Sequence, residues 1–215
     1  MKNDSKKYLL ISTCMLITFA LWTIAISIID VQPVNPQDST IGFATINKYF
    51  HNLTGVHLSL YNITDWLGLI PLAFMLFFAL LGLIQWVNRK SLKQVDYSLF
   101  VLGGYYIAVM SVYILFEIFV INYRPILNNG HLEASYPSST TLLVLCVMPT
   151  TIMQLNERMK NNLPKKVSII LITAFTLFMV IARFISGVHW FTDIVGGILL
   201  SAGLVMLYTS IVNLK

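Results

Sequence analysis

Charge is scarce in this chain: 11% of its 215 residues are Asp, Glu, Lys or Arg, against 57% that are apolar. That proportion cannot cover a water-soluble surface, and with a mean hydropathy of +0.76 it excludes a soluble globular domain. Cysteine is nearly missing too. The two present, Cys14 and Cys146, both fall inside long apolar runs, which argues against a disulfide, a cysteine-based metal site and thiol redox chemistry. With no low-complexity tract, no internal repeat and no soluble appendage, residues 1–215 read as one membrane domain.

What the chain has instead is long apolar runs. A hydrocarbon core takes about 20 residues of helix, and the runs predict six spans at 9–29, 66–87, 97–116, 137–155, 167–183 and 194–214. The first run is too long, and too poorly followed by small residues, for a cleavable signal. The expected fold class is an all-α integral membrane protein, a bundle of six transmembrane helices.

The net charge of +5 is a topology signal and not a nucleic-acid footprint. Lys2, Lys6 and Lys7 precede span one, Arg89, Lys90 and Lys93 follow span two, Arg158, Lys160, Lys165 and Lys166 follow span four, and Lys215 ends the chain. Cationic loops stay inside, so both termini are expected to be cytoplasmic and the chain a multi-pass protein of the cell membrane. Lys48, Arg124 and Arg183 are the basic residues left for the outer side. An arginine at the membrane edge is costly unless it is paired or useful, and anion binding is such a use.

The outer loops carry the chemistry. Residues 30–65 form the longest, and its stretch 41–66 mixes apolar residues with His51, His57, Tyr61 and Asn62, as a segment lying at the outer interface and roofing a site would. His51 and His57 are six apart, which is not a helical ligand spacing, so no metal is expected. In the second outer loop Arg124-Pro125 and Pro137-Ser138-Ser139-Thr140-Thr141 precede span four. Ser and Thr there cap a helix start, and the same end offers N–H groups and a positive dipole to a phosphate. Pro149 within span four predicts a kink. The third outer loop holds Arg183, His189 and Asp193. His and Asp four apart share a face if helical, so the carboxylate can fix one imidazole tautomer while the other nitrogen reacts.

The order Arg-Pro, Pro-Ser-Ser-Thr and Arg-x5-His-x3-Asp resembles the type 2 phosphatidic acid phosphatase and vanadium haloperoxidase superfamily. The likeness covers the second half of the chain in motifs and all of it in six-span layout. It implies a helical-bundle phosphatase core that hydrolyses phosphate esters or diphosphates without a metal or other cofactor. Three signatures describe such proteins: Lys-x6-Arg-Pro, Pro-Ser-Gly-His and Ser-Arg-x5-His-x3-Asp. Arg124 and Pro125 match the first, Pro137 and Ser138 the second, and Arg183, His189 and Asp193 the third. By that likeness His189 attacks phosphorus to give a phosphohistidine, Asp193 orients it, Arg124 and Arg183 neutralise the phosphoryl oxygens, and Ser138, Ser139 and Thr140 line the substrate end.

Three departures bear on the reaction: Glu117 stands for Lys, Ser139-Thr140 for Gly-His, and Ala182 for Ser. The replaced histidine is the family's general acid, and a threonine hydroxyl cannot take that role. An alkoxide leaving group needs a proton, whereas a phosphate leaving from a diphosphate is already a weak base. The favoured substrate is therefore a polyprenyl diphosphate, such as undecaprenyl diphosphate, over a phosphatidic acid monoester. His131, Glu133 or Glu117 could replace the acid. Against these stand a solvated His131, a surface Glu133 and a Glu117 paired with Arg124 or Arg183. The competing function is a catalytically degenerate member that binds or moves phospholipids. A phosphorylated lipid and the bilayer are the partners implied, with no nucleic acid and no obligate protein partner.

Overall fold

The computed structural model describes residues 2–34, 39–128 and 130–214, with the side chains of residues 2 and 3 left aside. Lys215, counted above for topology, lies outside the described residues. The helices are α1 (Lys2–Ile28), α2 (Ala44–Thr54), α3 (Leu58–Leu67), α4 (Leu69–Arg89), α5 (Tyr97–Ile118), α6 (Ser139–Arg158), α7 (Leu163–Ile185) and α8 (Phe191–Val212). Among the described residues six stretches are long and apolar enough to cross a membrane: Asp4–Ile28, Leu58–Arg89, Tyr97–Ile118, Ser139–Arg158, Leu163–Ile185 and Phe191–Val212.

The second of these starts earlier than the apolar run predicts. Gly68 donates its N–H back to Thr64 and Asp65, so α3 continues into α4 with its polar residues included. The outer loop also holds a small antiparallel pair, β1 (Gln32–Val34) with β2 (Ser39–Ile41), that the all-helical reading did not contain. Pro149 sits inside α6, which runs on to Arg158.

α6 and α8 form the centre and bury most of their length, while the other spans leave most of theirs to lipid. Composition explains this. Side chains as apolar as lipid gain little by meeting one another, so helices that pack closely carry small or hydrogen-bonding residues. Gly197 is such a position, since a Cβ there would press on Thr141 and the Ser138 carbonyl. Thr150 of α6 meets the Tyr106 hydroxyl at 3.1 Å, and Gln154 donates to Tyr208 at 2.9 Å. α1 is pinned along α8 by Ser5 on the Ser210 carbonyl, Ser12 on Gly203 and the Trp22 indole on Thr192. Cys14 and Cys146 are both free thiols, one exposed and one buried.

α2 and α3 lie over the junction of α7 and α8. Asn47, fully buried, donates to the Gly42 carbonyl and Thr192 hydroxyl and accepts from the Thr192 N–H, while the His57 N–H meets the Ser186 carbonyl. Tyr49, Leu53 and Leu58 stay exposed, as residues of an interfacial segment do.

Candidate active site

The third motif spans the end of α7, which holds Arg183, the turn with His189 and the first turn of α8 with Asp193, and only glycine fits the bend of that turn. Gly187 has φ +66° and the Gly55 backbone lies against it, so a side chain would meet both strain and a clash. Ser186 ties the end of α7, its hydroxyl donating to the Arg183 carbonyl at 2.7 Å. Trp190 opens α8 and donates its indole N–H to the Tyr123 carbonyl at 2.7 Å, which draws the segment between α5 and α6 onto the turn between α7 and α8.

His189, Arg183 and Asp193 are all buried, at 4%, 1% and 0% exposure. His189 precedes Trp190, the N-cap of α8, and so lies outside the helix whose first turn holds Asp193, and the carboxylate does not hydrogen-bond the imidazole. Asp193 Oδ2 lies 3.7 Å from His189 Nδ1. It accepts from the Trp190 N–H at 2.8 Å and from the Ser135 hydroxyl. The first bond is a helix cap, so α8 itself competes for the carboxylate.

Ser135 takes the position expected of the acid. Its carbonyl and hydroxyl oxygens both lie 3.2 Å from His189 Nδ1. A carbonyl can only accept, so Nδ1 carries the proton and Nε2 keeps its lone pair. That Nε2 is buried and has no hydrogen-bond partner among the described residues. Burial first, then the charges of Arg183 and Arg124, hold the imidazole well below its ordinary pKa and therefore neutral.

The two arginines converge from different elements, Arg124 from the segment between α5 and α6 and Arg183 from the last turn of α7. Arg124 donates to the Tyr61 hydroxyl at 2.8 Å and to the Ala134 carbonyl, and pairs with Glu133 at 3.2 Å. Arg183 donates to Thr64 at 3.1 Å and lies 3.6 Å from Asp65, with its Nε buried and unpartnered. Both guanidinium carbons sit over the Tyr61 ring.

The loop before α6 is fastened to α8. Ser138 donates its N–H to the Asp193 carbonyl at 3.1 Å, and the Tyr136 ring fills the space that Gly196 leaves. The Ser138 hydroxyl does not cap α6, since it accepts from Thr141 at 3.0 Å instead. Thr140 is buried with its methyl group towards Gly68. Ser139 lines a small pocket with Tyr113, Glu117, Ser135 and Tyr136.

The candidate donors differ from one another. His131 is exposed on a short hairpin, its backbone bonded to Asn128, as the solvated-loop reading has it. Glu133 is not a free surface carboxylate, because Arg124 takes it. Glu117 forms no ion pair with either arginine among the described residues, whose partners are Glu133 and Asp65. The described residues contain no group of three His, Cys, Asp or Glu placed to hold a metal. Ser135, Tyr61, Thr64 and Asp65 were not singled out for the site by sequence. The i, i+3, i+4 spacing of the last three is a helical-face signal, whereas a loop serine offers none.

Residues 105–215 match the family model of the PAP2 superfamily. No curated protein sequence matches the chain. A crystal structure of a transmembrane PAP2-type phosphatidylglycerolphosphate phosphatase from Bacillus subtilis superposes with a TM-score of 0.58 at 17% identity, covering 94% of this chain and 95% of that one. At that identity the likeness is one of fold.

Proposed function

Because the chain belongs to the PAP2 superfamily, we propose that it is a membrane lipid phosphatase acting on a phosphorylated lipid, with a polyprenyl diphosphate as the favoured substrate, through a phosphohistidine. The observation that carries this reading is the His189 Nε2 atom, buried and without a partner in the protein while its other ring nitrogen is tied to Ser135. A neutral imidazole aimed this way is a nucleophile. The Nε2 lone pair forms the bond to phosphorus as the bond to the leaving oxygen breaks, and water then cleaves the phosphorus–nitrogen bond to release inorganic phosphate. Arg124 and Arg183 stabilise charge on the phosphoryl oxygens. Asp193 acts on the imidazolium across 3.7 Å and through the Ser135 hydroxyl.

The positive-inside count argues for an active site outside the cytoplasm, in the cell membrane. Thr140 in place of the acid argues for the diphosphate. General acid help is typically worth about 10² to 10⁴ in rate, and its loss weighs most on alkoxide leaving groups.

The same Thr140 favours a second reading, a member that binds or moves phospholipid without turnover. Incubating the purified protein and its His189→Ala variant with labelled diphosphate lipid separates the two. Inorganic phosphate and an acid-labile phosphoprotein from the parent alone support the phosphatase. No phosphate from any lipid in a panel of mono- and diphosphates would favour the binder. A monoester turned over faster than the diphosphate would overturn the substrate preference.

A further inference from the structure

Two guanidinium groups that serve one phosphate must be held close enough to repel each other. Arg124 comes from the segment between α5 and α6 and Arg183 from the last turn of α7, and no direct contact between them explains their convergence. What they share is α3, a helix that carries none of the signature residues. Tyr61, Thr64 and Asp65 fall on one face of α3 at i, i+3 and i+4, with Tyr61 and Thr64 buried.

Tyr61 touches both arginines. The guanidinium carbon of Arg183 lies 4.6 Å from the centre of its ring and that of Arg124 5.4 Å, each within the range at which a cation is drawn to an aromatic face. The phenol oxygen also accepts from Arg124 Nη1 at 2.8 Å. On Arg183 the neighbours divide the donors. Thr64 takes Nη1, Asp65 lies by Nη2, and the buried Nε stays unpartnered. We infer that Tyr61 is a positioning residue that sets the spacing of the two guanidinium groups, and that with Thr64 and Asp65 it leaves the Nε edge of Arg183 as the one presented to phosphate.

This inference rests on the phosphatase reading and deepens it by placing a third wall on the phosphate subsite. A ring shared by two cations does what a rigid scaffold does for a binding site. It sets the spacing before the anion arrives, so less ordering remains to be done on binding. The phenol and the ring make separable contributions, and the two can be removed one at a time.

The test uses the full chain in lipid nanodiscs with inorganic phosphate as the probe, measured by direct titration and as an inhibitor of lipid hydrolysis. Tyr61→Phe keeps the ring and loses the hydroxyl, and should weaken phosphate about threefold to fivefold; Tyr61→Leu loses both and should weaken it about thirtyfold. KM should rise more than kcat falls, with thermal midpoints close to the parent's. Tyr61→Leu binding phosphate as tightly as the parent, or Tyr61→Phe as weak as Tyr61→Leu, overturns the shared ring. If Tyr61→Leu does not fold, Tyr61→Phe decides, and an unchanged affinity there sinks the inference. A parent that binds no phosphate and hydrolyses no lipid defeats the phosphatase reading and this inference together. A parent that does both beside an unaffected Tyr61→Leu defeats this inference alone.

Discussion

Both ends of the helical bundle gather charged side chains, and they satisfy them differently. At one end Asp96 accepts from Arg158, Gln85 and Arg89 at 2.8, 2.8 and 2.9 Å, while Gln154 takes Arg158 Nε and passes a hydrogen bond to Tyr208. The network joins α4, α5, α6 and α8 through groups that answer one another. At the other end sit His189, Arg183 and Asp193. There the buried Nε of Arg183 and Nε2 of His189 have no hydrogen-bond partner among the described residues. A buried polar atom left unpaired costs about 1–3 kcal/mol. That cost is left open on Arg183 and His189, whereas the Asp96 network uses its charges as staples between helices.

The contrast can be broken most forcefully at His189. Replacing it with Ala should lower lipid hydrolysis by about 10⁴-fold or more, and should cost about 1–3 kcal/mol of stability, because the buried ring and its Nδ1 bond to Ser135 are lost with it. Phosphate release and a melting curve on the same sample check both halves. Next comes Thr140→His, which should raise monoester hydrolysis relative to diphosphate hydrolysis by about 10- to 100-fold if a missing proton donor limits the reaction. Paired kinetics on the two substrates would read it, and an unchanged ratio would place the limit elsewhere.

Ser135→Ala should reduce kcat/KM by about tenfold, because the carbonyl still holds Nδ1 while the hydroxyl link to Asp193 is gone. The pH profile sharpens the picture further. Burial and the two arginines depress the pKa of His189, and its neutral form is the nucleophile. Activity is therefore retained as pH falls through 6.5, the ordinary histidine value, and is lost only below it. A kcat/KM limb at or above 6.5 would contradict that sign. The smallest kinetic effect belongs to the far end, where Asp96→Asn should leave kcat/KM intact and cost about 1 kcal/mol of stability. The Asp96 carboxyl is held well below the usual carboxylate range by Arg158, Gln85 and Arg89. Its contribution is thus present above the ordinary aspartate value and disappears as pH drops through the depressed one.

The two ends also differ in how well they could be read. Apolar runs marked six spans because a chain in lipid must satisfy its backbone within each helix, which leaves a long uncharged stretch few other forms. The expected second span, 66–87, falls on α4, and the stretch before it, expected at the interface on the strength of Tyr61 and Asn62, is the short helix α3. Arg183, His189 and Asp193 stood out because their spacing is short and local. The Asp96 network drew no notice, as its partners come from four helices.

Composition, charge asymmetry and short-range spacing, then, were enough to make this a six-span membrane protein with an imidazole between arginines, because hydrophobic length and near-neighbour geometry are written residue by residue. Which oxygen holds the imidazole, which carboxylate caps α8 and which aromatic ring pairs the guanidinium groups were settled only when distant segments docked. Those choices depend on a loop carbonyl at Ser135 and a helix face on α3 meeting α7 and α8, and a backbone oxygen or a face has no meaning until something packs against it.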